Sequence, residues 1–306
     1  MGFTSNFQRS LSSISRHNRK KKVSKSLLSN ALFNHGVSNL HRLDESNTGD
    51  FFCAPHLYFP QLENSGLDIH TIKSASASES DIQEWHDNLI NNALIIGGGG
   101  LLNREGFEFQ MKLFEAMAEK GKKTVLWGVG HNSKNKKDFN NVTDYNVDIN
   151  KFGLTGVRDF SMQGDWVPCV SCMHDIFDKP FEEEHDVGLI YHKKTIKNKR
   201  LLNRLDNYPS TSNTVDLDEL ISFIGKSHCI VTDSYHAMYW ALLLNKKVIT
   251  VPNSSKFYDF KYPAEVSNFE DFESKLKHAK AYSGVLEECR EINTRFSEKV
   301  FNYLNL

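Results

Sequence analysis

"IVTDSYHAMYWALLLNKKVITVP", residues 230–252, joins an apolar, β-branched run to a Thr-Asp-Ser-aromatic-His cluster and then to a stretch of strong helix formers. His228 to Val231 has strand character, Ala237 to Leu244 has helical character, and Val248 to Val251 forms a second apolar run that closes at Pro252. A strand that follows a helix this closely pairs with the preceding strand only through a crossover, so the segment predicts a βαβ unit in a parallel sheet. The polar cluster then falls at the carboxyl end of a strand and the amino end of a helix, where parallel α/β folds hold their ligands.

The same alternation extends toward the amino terminus. "NALIIGGGGLLN" (92–103) is an apolar strand ending in four glycines, Phe107 to Lys120 has helical period and stops at Gly121, "KKTVLWGVG" (122–130) is a further strand, and "FGLTGVRD" (152–159) another. Residues 45–178 therefore read as one doubly wound domain, entered by the turn and aromatic segment "SNTGDFFCAPHLYFP" (46–60). The polar, acidic "DKPFEEEHD" (178–186) reads as a linker. "VGLIYH" (187–192) starts a second strand series in a domain of residues 187–306, whose end from Phe269 is mostly helical. The expected fold class is α/β, with two Rossmann-like domains preceded by a basic segment, residues 1–44.

The formal net charge of -1, the 25% charged and the 39% hydrophobic fractions are ordinary for a soluble globular chain and do not point to nucleic acid. Five cysteines are an odd number spread over 306 residues, which favours a reducing cytosol. No run approaches the ~18 apolar residues that span a bilayer. One imbalance is local: Met1 to Leu43 carries eight Lys and Arg and no acidic residue, with Arg19, Lys20, Lys21 and Lys22 consecutive. The plainer reading is a frayed, solvated terminus; the alternative is that residues 1–25 form a basic amphipathic helix in peripheral contact with an anionic membrane.

Several residues carry candidate chemistry. Gly97, Gly98, Gly99 and Gly100 have no side chains to block close approach, so their N–H groups can face an anion at the mouth of the sheet; a tight turn is the competing reading. The run matches neither a dinucleotide fingerprint nor a P-loop. Arg158, just past a strand, suits bidentate recognition of carboxylate or phosphate, or else pairs with Asp159. His236, beside Asp233 and Ser234 in the first turn of a helix, suits proton donation or an anion contact; a packing role is the plainer alternative. Cys169 and Cys172 have metal-ligand spacing without a second such pair, so they read as small buried hydrophobes and no metal is expected.

"ALIIGGGGLL", "VLWGVG", "GLTGVRDFS" and "SHCIVTDSYHAMYWALLLNKKVITVP", in that order and with "NTGD" upstream, resemble the polysaccharide pyruvyl transferase family over roughly residues 45–260. The resemblance implies a GT-B-like arrangement of two Rossmann-like domains facing a cleft. It also implies transfer of the enolpyruvyl unit of phosphoenolpyruvate to sugar hydroxyls of a cell-surface polysaccharide or its lipid-linked precursor, leaving a pyruvate ketal. The family's arginine falls on Arg158, its histidine on His236, its glycine run on Gly97 to Gly100, and its amino-terminal Asn-x-Gly-Asp element on Asn47, Gly49 and Asp50. Some members carry an arginine two residues before the histidine, where this chain has Ser234. The implied roles are His236 as acid, its pKa raised by a neighbouring anion, Asp50 or Asp233 as base, and Arg158, Asn47, Ser234 and the glycines as binding groups. Phosphoenolpyruvate is the donor, a sugar or lipid-linked oligosaccharide the acceptor, and no cofactor is implied; the expected place is the cytoplasm or the inner face of the membrane. Two other readings are a nucleotide-sugar glycosyltransferase of the same architecture and an inert relative that binds within a polysaccharide assembly complex.

Overall fold

A computed structural model describes residues 17–306. Among these residues the chain forms two sheets whose strand pairs are all parallel. The first holds β1 (Val37–His41), β2 (Gly66–Asp68), β3 (Ala93–Ile96), β4 (Gly99–Leu102), β5 (Thr124–His131), β6 (Leu154–Val157) and β7 (Asp165–Trp166). Its spatial order is β2-β1-β3-β5-β6-β7, with β4 paired along β5. The second holds β8 (His185–Tyr191), β9 (Ser210–Ser212), β10 (Ser227–Thr232), β11 (Lys247–Thr250) and β12 (Glu265–Val266), in the order β12-β11-β10-β8-β9. The helices are α1 (residues 17–29), α2 (Thr48–Phe51), α3 (Glu79–Asn91), α4 (Glu105–Glu119), α5 (Lys199–Arg204), α6 (Leu217–Gly225), α7 (Tyr235–Leu243), α8 (Phe272–Lys275) and α9 (Val285–Leu304).

The predicted βαβ unit is present: β10 and β11 pair in parallel with Ile230 opposite Val248, and α7 is the crossover. Every residue of β3, β5 and α7 is buried. Near-continuous apolar composition is what a strand covered on both faces, or a helix surrounded by other elements, requires. The mixed α/β fold with parallel sheets agrees with the expectation.

Three features differ from it. The first sheet begins before residue 45: β1 lies inside the basic segment and pairs with both β2 and β3. The basic run is also not frayed over its described part. Arg19 to Lys22 belong to α1, which buries Val23 and Leu27 in the core of the first sheet while Lys21, Lys22 and Lys25 stay exposed. Residues 1–16, where most of the expected membrane contact falls, lie outside the described residues. Third, β8 already starts at His185, inside the expected linker, and α9 returns to the first half of the chain. There Phe296, Val300 and Leu304 pack with Val125 and Trp127, and the Trp127 indole N–H donates to Asn293 Oδ1 at 2.9 Å. No helix among the described residues is long and apolar enough to cross a membrane.

Each sheet has a point where the chain reverses its direction of strand addition. In the first it lies between β1 and β3, and in the second between β8 and β10. Adjacent loops part there, and in open α/β sheets the crevice they leave at the carboxyl ends is the binding position. The chain leaving β3 is the glycine run, and the chain leaving β10 is the Asp233–Ser234–Tyr235–His236 cluster.

Candidate active site

Both crevices open on one pocket of about 240 Å³, lined from the first half by Asn47, Asp50, Gly98 to Gly100 and Arg158, and from the second by Ser234 and His236. Asp233 and Gly97 are not among its lining residues. The glycines serve chiefly close packing of backbone. A Cβ on Gly97 would lie 2.0 Å from Trp127 O, and one on Gly98 would lie 2.5 Å from Cys53 O. The Gly97 N–H donates to Leu40 O at 3.0 Å and the Gly98 N–H to Cys53 O at 2.8 Å, so these two groups are not free to cradle an anion as expected. Gly99 and Gly100 continue as β4.

Arg158 follows β6 and is 1% exposed. Its guanidinium carbon lies 4.0 Å over the Tyr235 ring, yet Nε and Nη2 have no partner among the described residues. The ion pair with Asp159 is not made. The Asp159 carboxylate instead accepts from the His131 backbone N–H at 2.7 Å and the Tyr145 hydroxyl at 3.0 Å. Burial pushes the Asp159 carboxyl up to about 7 against the pull of Arg158. A buried guanidinium with two idle donors is costly unless an anion completes it.

His236 is buried in the first turn of α7, with Nε2 unpartnered among the described residues. Its ring lies against the backbone of α2: a Cβ on Gly49 would come within 2.2 Å of His236 Nδ1, so only glycine fits there. Burial, then Arg158 and Lys256, push the imidazole well below its ordinary value. The expected upward shift is therefore reversed, first because the ring is buried and then because the charged groups that act on it are cations.

The two candidate bases separate. The Asp233 carboxylate accepts from the His192 backbone N–H at 2.7 Å and from the Thr195 hydroxyl, so it ties down the loop after β8 and does not face the pocket. Asp50 does face it, accepts from Asn47 Nδ2 at 2.6 Å, and has its carboxyl pushed up by burial. Asn47 in turn accepts from Asn213 Nδ2 at 2.9 Å, and the Thr48 N–H donates to Asn213 O at 3.1 Å, which docks α2 on the second half of the chain. Ser234 lines the pocket, and its N–H donates to Thr232 Oγ1 at 2.9 Å.

Sequence reasoning missed most of the positive charge. Arg104, Lys134, Lys194 and Lys256 line the pocket with Arg158, and none of the five has a carboxylate within ion-pair distance among the described residues. By contrast Arg42 is paired with Asp68 at 2.6 Å and Lys193 with Asp44 at 2.5 Å. Burial and neighbouring cations lower Lys134 to about 8 and Lys256 to about 7. The signal was positional: Lys134, Lys194 and Lys256 all stand a few residues past the carboxyl end of a strand, as Arg158 does.

Cys169 and Cys172 are buried free thiols; Cys169 O accepts from the Tyr239 hydroxyl at 2.8 Å. The sequence model of the polysaccharide pyruvyl transferase family matches residues 174–255, a stretch that contains β8 to β11, Ser234 and His236. The resemblance drawn from the sequence motifs agrees with that match. No curated protein matches the chain. The match supports polysaccharide pyruvylation as the general activity, carried out by a transferase.

Proposed function

We propose that the protein transfers the enolpyruvyl group of phosphoenolpyruvate to hydroxyls of a polysaccharide or its lipid-linked precursor and closes a pyruvate ketal, within a GT-B-like pair of Rossmann-like domains in the cytoplasm. The observation that carries this reading is Arg158, a buried guanidinium with two donor nitrogens unpartnered among the described residues, in a pocket whose other cations include four with no ion-pair partner among them. Phosphoenolpyruvate brings a phosphate and a carboxylate, the groups that satisfy a guanidinium fork and ammonium ions.

In this scheme a proton adds to the methylene carbon, which becomes a methyl group, and positive charge develops on the adjacent carbon. A sugar hydroxyl attacks that carbon and loses its proton to a base. Phosphate departs, and a second hydroxyl attacks the same carbon and gives up its proton to the departing phosphate, closing the ketal. His236 serves as the acid, its pKa brought up by the donor's negative charge against the depression that burial, then Arg158 and Lys256, impose. Asp50 is the base, since it faces the pocket and Asp233 does not. The scheme calls for no metal or cofactor.

The test is phosphate release from phosphoenolpyruvate in the presence of lipid-linked oligosaccharides and simple β-galactosides. Acceptor-dependent release with a mass gain of a pyruvate ketal on the sugar is expected. Sugar transfer from a nucleotide sugar with no turnover of phosphoenolpyruvate would replace this reading by the glycosyltransferase one.

A further inference from the structure

We infer that Lys256 is a second anion-binding group of the donor site, reaching from the second sheet toward the pocket that Arg158 enters from the first, and supplying the cation absent at Ser234. The inference rests on the proposed donor, a molecule with two anionic groups. Lys256 follows β11 and lines the same pocket as Arg158. Both cations address one ring: Arg158 Cζ lies 4.0 Å and Lys256 Nζ 5.8 Å from the Tyr235 centroid. Lys256 Nζ also lies 5.5 Å from the Phe257 centroid. No carboxylate stands within ion-pair distance of either cation among the described residues.

The loop that carries Lys256 is pinned to the first sheet. The Ser255 N–H donates to Ser133 O at 3.0 Å, the Ser133 N–H donates to Ser255 Oγ at 2.9 Å, and that hydroxyl lies 2.7 Å from His131 Nδ1 at the end of β5. Lys256 therefore cannot relieve its repulsion from Arg158 by swinging its loop away. Two like charges held around one ring are stabilised by an anion that reaches both, such as a carboxylate and a phosphate carried on one carbon. Lys134, Arg158 and Arg104 oppose the charge on Lys256, whereas Asp50 of α2 favours it; His236 of α7 faces the same pocket.

The experiment is titration calorimetry of phosphoenolpyruvate and of inorganic pyrophosphate into the full chain, with Lys256→Met and Lys256→Arg as variants. Methionine keeps the unbranched stem beside Tyr235 and Phe257, and circular dichroism checks that both variants fold. Lys256→Met should weaken phosphoenolpyruvate binding by ~10-fold or more, and Lys256→Arg should recover most of it. A second readout is proton uptake. Because the free ammonium is lowered to about 7, binding at pH 8 should draw in a proton, seen as a buffer-dependent enthalpy, and the uptake should shrink in Lys256→Met. Wild-type affinity and uptake in Lys256→Met would overturn the inference. If the wild type binds pyrophosphate and not phosphoenolpyruvate, the donor assignment falls and the Lys256→Met comparison on pyrophosphate decides the inference. Binding of neither overturns both.

Discussion

Replacing Arg158 by methionine should remove donor binding without a large loss of stability. Its Nε and Nη2 are buried donors without a partner among the described residues, and hydrogen bonds to charged groups contribute roughly 1.5–3 kcal/mol each. Two such bonds to a donor anion set an upper range of about 3–6 kcal/mol, so even at the lower end the affinity for phosphoenolpyruvate should fall ~100-fold. Stability has other terms. An unpaired buried cation replaced by an apolar group of similar volume is neutral to stabilising by about 1–4 kcal/mol, less up to ~2 kcal/mol for the stack on Tyr235. Burial already pushes the Asp159 carboxyl up to about 7, and loss of the pull of Arg158 moves it higher, toward its neutral form. Guanidinium denaturation should therefore place Arg158→Met between ~2 kcal/mol less and ~4 kcal/mol more stable than the wild type, while calorimetry shows the loss of binding. A variant destabilised by ~3 kcal/mol that still binds the donor normally would make Arg158 a structural cation and refute the reasoning.

Three further outcomes follow from named contacts. His236→Asn, which keeps a polar side chain against Gly49, should lower kcat for acceptor-dependent phosphate release by ~100-fold with a modest change in the donor KM; unchanged kcat would return His236 to a packing role. Gly49→Ala places a methyl 2.2 Å from the His236 ring nitrogen, so the ring must shift and activity should fall ~10-fold or more in a chain that remains folded; full activity would show that the observed ring position is not the working one. His41 is fully buried with both ring nitrogens unpartnered among the described residues, and burial followed by His56 lowers it to about 3. Its neutral form is favoured by folding, so stability is complete above the ordinary histidine value of 6.5 and drains away as pH falls toward 3. Between pH 7.5 and 5 the loss is roughly 2 kcal/mol, and His41→Phe should remove that much of the acid lability; identical pH slopes in the two proteins would contradict it.

The parts of the fold that could be read from sequence are those where composition follows burial. β3, β5 and β10 to β11 are apolar because both faces are covered, and α7 stands between strands too close together to pair otherwise. β1 escaped because it breaks that rule. It holds Ser38, Asn39 and His41 in the interior. Asn39 makes this tolerable by donating to Ile95 O and Gly97 O and accepting from the His56 N–H, all contacts with distant residues. A strand stabilised by side-chain bonds to its neighbours shows no hydrophobic period. β4 escaped for the opposite reason: Gly99 and Gly100 have low strand propensity, Gly99 takes a φ of +98° that only glycine adopts freely, and the strand is defined by its irregular pairing along β5.

The candidate site divides along the same physical line. Arg158, His236 and Asp50 were legible because each stands in a recognisable local pattern, and the structure brings all three to one pocket. What sequence reasoning could not weigh is mutual charge. Arg158 beside Asp159 looks like an ion pair on local spacing, yet the carboxylate is turned to His131 and Tyr145 and the guanidinium to Tyr235. His236 beside Asp233 looks like an imidazole with an anion to raise it, yet Asp233 is turned to His192 and Thr195, and the ring is lowered by its burial and then by Arg158 from one sheet and Lys256 from the other. In both places the adjacent acid is spent on backbone and hydroxyl donors, leaving the cation or the imidazole without it. That pattern, repeated at the carboxyl ends of β6 in one sheet and β10 in the other, leaves a pocket whose uncompensated charge is positive on both sides. A ligand with several negative charges is then the means of neutralising both halves at once, and a neutral sugar entering first would leave that repulsion in place. Donor before acceptor is the binding order that such electrostatics favour.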